Sequence, residues 1–89
     1  MNINVCYKPS FVRRLNKLSK GLQDEVIEKT ELFKDIENHE SLKVHKLKGR
    51  LKKFYGFSVN YRDRIVFEYI SEKEVALLAV GDHEIYKLF

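Results

Sequence analysis

Arg64, His83 and Tyr86 are the residues of this 89-residue chain whose types and settings could do chemistry. Arg64 opens the run Arg64-Ile65-Val66-Phe67-Glu68-Tyr69, where a purely structural strand would more usually begin with an apolar or neutral side chain. His83 and Tyr86 stand three residues apart in Gly81-Asp82-His83-Glu84-Ile85-Tyr86, directly after the apolar run Val75 to Val80. A guanidinium can bind two phosphate oxygens at once, an imidazole exchanges protons near neutral pH, and a phenol can donate to phosphate or stack on a base. These are the groups of phosphate and RNA chemistry.

A cationic segment precedes them. Lys43, Lys46, Lys48, Arg50, Lys52, Lys53 and Arg62 lie between Glu40 and Asp63, a stretch with no acidic residue, so it carries +7 while the rest of the chain sums to −3. Charge concentrated in this way attracts polyanions through counterion release and speeds encounter. Lys46, Lys48, Arg50, Lys52, Lys53 and Arg62 are therefore candidate contacts for RNA or the ribosome. The same pattern would also serve as a solvated loop and a strand edge guarded against aggregation.

Other chemistries find little support. His39, His45 and His83 lack metal-ligand spacing, there is no HExxH helix, and one cysteine, Cys6, allows neither an intrachain disulfide nor a CxxC zinc site. No Gly-rich phosphate loop follows a strand, and Ser10, Ser19, Ser41, Ser58 and Ser71 have no nucleophile-elbow context. No metal or cofactor is expected. Cys6 lies in a first strand, where a small buried hydrophobe is the expected role. His39 and His45 are expected to be surface or hydrogen-bonded structural residues. No apolar run approaches the roughly 20 residues of a membrane span, and the N-terminus has no signal-peptide pattern, so a cytoplasmic protein is expected.

The elements that must position these groups read as β-α-α-β-β-β in a single domain over residues 1–89, an α+β fold. Ile3, Val5 and Tyr7 alternate as a strand that ends at Pro9-Ser10. Phe11, Val12, Leu15 and Leu18 recur at helical spacing, with Ser10 as the N-cap and Arg13, Arg14 and Lys17 on the other side. After a break at Ser19 to Gly21, where Ser19 can cap the next helix, Leu22, Val26, Phe33 and Ile36 form a second stripe reaching about Asn38, with Asp24 and Glu25 in its first turn. In the strands that follow, Tyr55, Phe57 and Val59 share a face with Ile65, Phe67 and Tyr69. The opposite face receives Gly56, Ser58, Asn60, Arg64, Val66 and Glu68, and is expected to be polar and uncovered.

Read in order, His45-Lys46-Leu47-Lys48-Gly49, Phe54-Tyr55-Gly56-Phe57-Ser58-Val59-Asn60, Tyr61-Arg62-Asp63-Arg64-Ile65-Val66-Phe67-Glu68-Tyr69 and Gly81-Asp82-His83-Glu84-Ile85-Tyr86 resemble the RelE/ParE superfamily of small type II toxins, over essentially the whole chain. The resemblance implies two N-terminal helices packed on a four-stranded antiparallel sheet and, for the RelE-like branch, a ribosome-dependent endoribonuclease that cuts mRNA. It implies a cognate antitoxin partner and a toxin–antitoxin hetero-oligomer, while the lack of a long apolar run leaves no membrane partner expected. Arg64 matches the arginine at the start of the third strand, Tyr86 the C-terminal tyrosine, and His83 resembles the C-terminal histidine of the YoeB-like branch. Such toxins cut by 2′-hydroxyl attack on the adjacent phosphorus, without a metal.

The departures are specific. Gly56, Ser58 and Asn60 stand where some RelE members carry basic residues, and the second arginine of the C-terminal motif is absent, with Asp82 and Glu84 flanking His83. Glu68 could act as a base or simply pair with Arg64. A thinner cation set leaves two other readings open: a ParE-like toxin that binds a protein such as DNA gyrase, and an inactive homologue that only binds its antitoxin or nucleic acid.

Overall fold

The computed structural model describes residues 2–89. β1 (Asn4–Tyr7) leads into α1 (Pro9–Asn16) and α2 (Lys20–Phe33), and then come β2 (His45–Lys46), β3 (Tyr55–Ser58), β4 (Arg64–Ser71) and β5 (Glu74–Gly81). Short 3-10 turns cover Ile36–Asn38, Gly49–Leu51 and the C-terminal tail, His83–Leu88. No described helix is long and apolar enough to cross a membrane.

The strands form one sheet in the order β1-β5-β4-β3-β2. It has five strands where four are expected from the sequence, and it is not wholly antiparallel. The extra strand is the two-residue β2, too short for period two to reveal, pairing His45 with Gly56 and Lys46 with Tyr55. The exception in direction is β1, parallel to β5 from Asn4↔Glu74 to Tyr7↔Leu77. A tight hairpin dictates antiparallel pairing, but β1 meets β5 only after the helices and three other strands have intervened, so its direction is free.

Where β1 stops, α1 takes over the edge of β5. The Lys8 N–H donates to the Leu77 carbonyl at 3.2 Å. Ser10 Oγ then donates to Leu78 O at 2.9 Å and Arg14 Nε to Val80 O at 3.3 Å. Acceptors that an open sheet edge would leave to water or to another strand are thereby satisfied. Ser10 is consequently not the N-cap: the cap position is Lys8, without a side-chain bond, and Pro9 opens the helix where its missing N–H costs nothing. Ser19 does cap α2, accepting from the Leu22 N–H at 3.3 Å. α2 ends at Phe33 rather than near Asn38, which leaves Ile36 exposed, and its start at Lys20 puts Asp24 and Glu25 beyond the first turn. Val12 is exposed as well, because the strip of α1 that meets the sheet is centred on Phe11.

The main core lies between the helices and one sheet face, with Phe11, Val26, Phe33, Phe57, Ile65, Phe67 and Leu77 fully buried. Phe33 is its hub. Its ring stacks on Phe57 at 4.5 Å and on His39 at 4.6 Å, and meets Phe67 edge-on at 4.9 Å. Offset and edge-on ring pairs of this kind contribute about 0.5–1.5 kcal/mol each beyond area burial. His39 Nε2 also lies 2.8 Å from Phe33 O and His45 Nδ1 2.8 Å from Lys43 O, which gives both histidines structural roles. Cys6 is exposed instead of buried, since in edge strand β1 it is Val5 that packs toward the core.

Candidate active site on the tail face

The face opposite the helices is not open. A second apolar cluster of Leu47, Val66, Ala79 and Ile85 is buried there, with Leu51, Phe54, Leu78, Tyr86 and Phe89 packed around it. The C-terminal tail and the loop around Gly49 fold onto this face, and the ring centroids of Phe54 and Phe89 lie 4.9 Å apart. Gly56, expected on a polar surface, is buried with Leu47 Cδ2 3.5 Å from where a Cβ would stand, so a side chain larger than alanine's would press on the cover. Leu47, Leu51 and Phe54 are the residues that sequence reasoning passed over. Their spacing of four and three amid lysines is the signal that could have exposed them.

The tail that carries His83 and Tyr86 is held by two devices. Asp82 caps its 3-10 turn, its carboxylate accepting from the Glu84 N–H at 3.0 Å. Ile85 inserts beneath, only 1% exposed. Gly81 makes the junction possible: its φ is +158°, and a Cβ there would lie 2.7 Å from Ile85 Cγ2. His83 itself is exposed, with Nε2 3.6 Å from Glu84 Oε1, while Glu84 also pairs with Lys87 at 2.9 Å. Tyr86 is half-buried against the apolar cluster.

Arg64 stands at the same end of the sheet, since register pairs it with Gly81, two residues before His83. Its guanidinium closes the β3–β4 turn. Nη1 donates to Asn60 O at 2.6 Å and to Asp63 O at 3.0 Å, and Nη2 donates to Tyr61 O at 3.0 Å. Three of the five N–H donors of a guanidinium are so engaged, leaving Nε and one Nη2 hydrogen without a partner among the described residues. No hydrogen bond or ion pair among those residues joins Arg64 to His83, to Tyr86 or to Glu68. The pairing of Glu68 with Arg64 considered from the sequence is thus not formed: the two lie four residues apart on β4, about 13 Å along the strand, and the guanidinium turns back to the carbonyls of its own turn. Asn60 completes the turn, its Oδ1 accepting from the Arg62 and Asp63 N–H groups at 2.9 and 2.7 Å and its Nδ2 donating to the buried Asp63 carboxylate at 3.1 Å.

The cationic segment borders this face. Lys46 is exposed on edge strand β2, and Lys48, Arg50, Lys52 and Lys53 are exposed on the loop that follows. None of these five enters an ion pair among the described residues. Lys53 Nζ sits 5.1 Å from the Phe54 ring centroid, a cation–π approach that ties the loop's charge to its apolar anchor. Arg62 differs, with Nε 3.5 Å from Asp63 Oδ2.

No protein-family model matches the chain and no curated protein is matched by it. Solved structures do match. The toxin–antitoxin complex RelBE2 from Mycobacterium tuberculosis contains a chain that superposes with a TM-score of 0.72 at 20% identity, over 93% of this chain and 100% of that one. YafQ from E. coli gives 0.72 at 14% identity, over 94% and 97% of the two chains. The YoeB dimer from Staphylococcus aureus gives 0.63 at 20% identity, over 93% and 99%. The fold of this chain, two helices followed by a mostly antiparallel sheet with a short C-terminal tail, is that of the RelE, YafQ and YoeB toxins.

Proposed function

We propose that this chain is the toxin of a type II toxin–antitoxin pair and a metal-independent, ribosome-associated endoribonuclease that cleaves mRNA. The observation that carries the reading is the docked tail: a built-in apolar anchor, Ile85, fixes the turn that carries His83 two residues beyond Gly81, the register partner of Arg64, on a face bordered by lysines that form no ion pair among the described residues. An exposed histidine on an anchored turn is held in place yet open to a substrate.

In the proposed reaction the RNA 2′-hydroxyl loses its proton and attacks the adjacent phosphorus, a P–O bond forms to the 2′-oxygen, and the bond to the 5′-oxygen breaks. The products are a 2′,3′-cyclic phosphate and a 5′-hydroxyl. His83 exchanges the proton at one of the two oxygens, and the Tyr86 hydroxyl serves the other or holds the phosphate. The two partnerless donors of Arg64 meet the charge that develops on the phosphoryl oxygens. Lys46, Lys48, Arg50, Lys52, Lys53 and Arg62 hold the strand or the ribosome. The similarity to chains solved as RelB–RelE complexes, including an archaeal pair from Pyrococcus horikoshii at a TM-score of 0.69, supports an antitoxin partner.

One feature favours the binding-only alternative, a ParE-like or inactive toxin: most of the Arg64 guanidinium is occupied by the turn. Primer extension on mRNA from cells induced for the chain separates the two. Discrete cuts within codons are expected for the ribonuclease. Intact mRNA together with a DNA-damage response would favour binding to a target such as gyrase.

A further inference from the structure

We infer that Arg13, Arg14 and Lys17 of α1 form a second phosphate-binding track for the RNA strand, on the tail side of the candidate active site. The inference rests on the ribonuclease reading and gives that site its missing cations, because the tail carries Asp82 and Glu84 beside His83 and no arginine.

By sealing the edge of β5, α1 comes to border both faces of the sheet, so its polar side does not simply face water. A groove runs between Arg13, Arg14 and Lys17 on one wall and Leu78, Leu88 and Phe89 on the other. It adjoins a second groove in which Arg14 and Lys17 stand with Arg62 opposite Gly81 and Asp82, the root of the tail. Arg13 and Lys17 lie one turn apart, about 6 Å along the helix axis. None of Arg13, Arg14 and Lys17 enters an ion pair among the described residues. The acids nearby are already engaged: the Asp63 carboxylate by Asn60 and Arg62, and that of Asp82 by the Glu84 N–H. An extended polyanion laid along this path meets several cations in succession and ends at Gly81 and Asp82, the residues that lead into His83, which fits a nucleic-acid strand better than a compact anion. The apolar wall could instead take an acidic peptide, and that outcome is distinguishable.

The test measures binding of the full chain to a short fluorescent single-stranded RNA carrying 2′-O-methyl groups, which cannot be cut, across a KCl series. The Arg13→Gln/Lys17→Gln variant alters two side chains that make no hydrogen bond among the described residues, so the fold is retained, which circular dichroism checks. Each lost phosphate contact lowers the slope of log affinity against log salt by about 0.7 for a single strand, so the double variant should lose about 1.4 and Arg13→Gln alone about half of that. Affinity at low salt should fall several-fold. The comparator is Lys48→Gln/Arg50→Gln. If the loop variant loses slope while the α1 variant matches the parent, the α1 track is refuted and the ribonuclease reading stands. If the parent ignores RNA but binds polyglutamate, and the α1 variant loses that binding, the groove is a peptide site and the α1 track is refuted, whereas the ribonuclease reading falls only if mRNA stays intact on translating ribosomes.

Discussion

Ile85→Ala tests whether the tail is part of the folded unit, on which the geometry of the site depends. The substitution removes three carbons from a side chain that is 1% exposed and packed on Leu47, Val66 and Ala79. At about 0.8 kcal/mol per buried methylene the transfer loss is about 2.4 kcal/mol. A cavity contribution follows, and buried Ile→Ala changes cost about 2–5 kcal/mol in all. Because the tail lies at the chain end and its neighbours can close in, the lower half applies, about 2.5–3.5 kcal/mol. Urea denaturation followed by circular dichroism reads this directly: with a slope of about 1 kcal/mol/M for so small a domain, the midpoint should fall by roughly 2.5–3.5 M. Hydrogen exchange should report the same event at the Ile85 N–H, which donates to Asp82 O at 3.0 Å. Leu88→Ala is the control, since Leu88 is 54% exposed and should change stability by no more than about 0.5 kcal/mol. If the two variants have equal midpoints, the tail is not packed on the sheet, and the placement of His83 and Tyr86 loses its basis.

Three further outcomes follow from particular contacts. Gly81→Ala drives a Cβ to 2.7 Å from Ile85 Cγ2, so it should cost about 1–3 kcal/mol in urea denaturation and raise exchange throughout the tail, whereas Gly21→Ala, with nothing within 4 Å in α2, should be neutral or stabilising. Burial, reinforced by the nearby Tyr55, raises the Tyr69 phenol above its ordinary 10.0. Its contribution is complete below that pH and is lost as pH rises through the folded-state value, so Tyr69→Phe should flatten the alkaline limb of a stability-against-pH profile. Arg64→Lys should reduce both cleavage and stability, because an ammonium has three donors and no planar fork with which to close the turn and hold a phosphate; undiminished cleavage by an Arg64→Lys variant that melts like the parent would remove Arg64 from the chemistry.

Much of the fold was legible because helical and strand periods are local. Phe11 with Leu15 and Leu18, and Phe57 opposite Ile65 and Phe67, announced the main core, and Ser19 announced the start of α2. The same periods yielded the element order, and the resemblance supplied the packing of two helices on one sheet, a fold that the solved neighbours share. What stayed hidden depends on long-range contacts. The parallel pairing of β1 with β5 leaves no trace in either strand, and Ser10 resembles a cap until Leu78 O, 68 residues away, is found to be its partner. The covered second face was missed because period two assigns Val66 to a side otherwise occupied by Gly56, Ser58 and Arg64. Its cover comes from Leu47, scattered among lysines, and from Ile85, beyond the last strand. Of the candidate site, residue types and chain neighbourhood were readable for Arg64, His83 and Tyr86. The engagement of Arg64 by the carbonyls of its own turn was not, since it depends on the path of residues 60–63.

The central claim is best tested on the RNA ends made in a purified translation system programmed with one defined mRNA. The parent chain should cut that mRNA only when ribosomes translate it, leaving a 2′,3′-cyclic phosphate or its opened 3′-phosphate upstream and a 5′-hydroxyl downstream. His83→Gln/Tyr86→Phe should abolish the cuts while keeping the parent's thermal melting. Cuts of equal rate from the double variant, or intact mRNA with the parent while translation proceeds, would contradict the account.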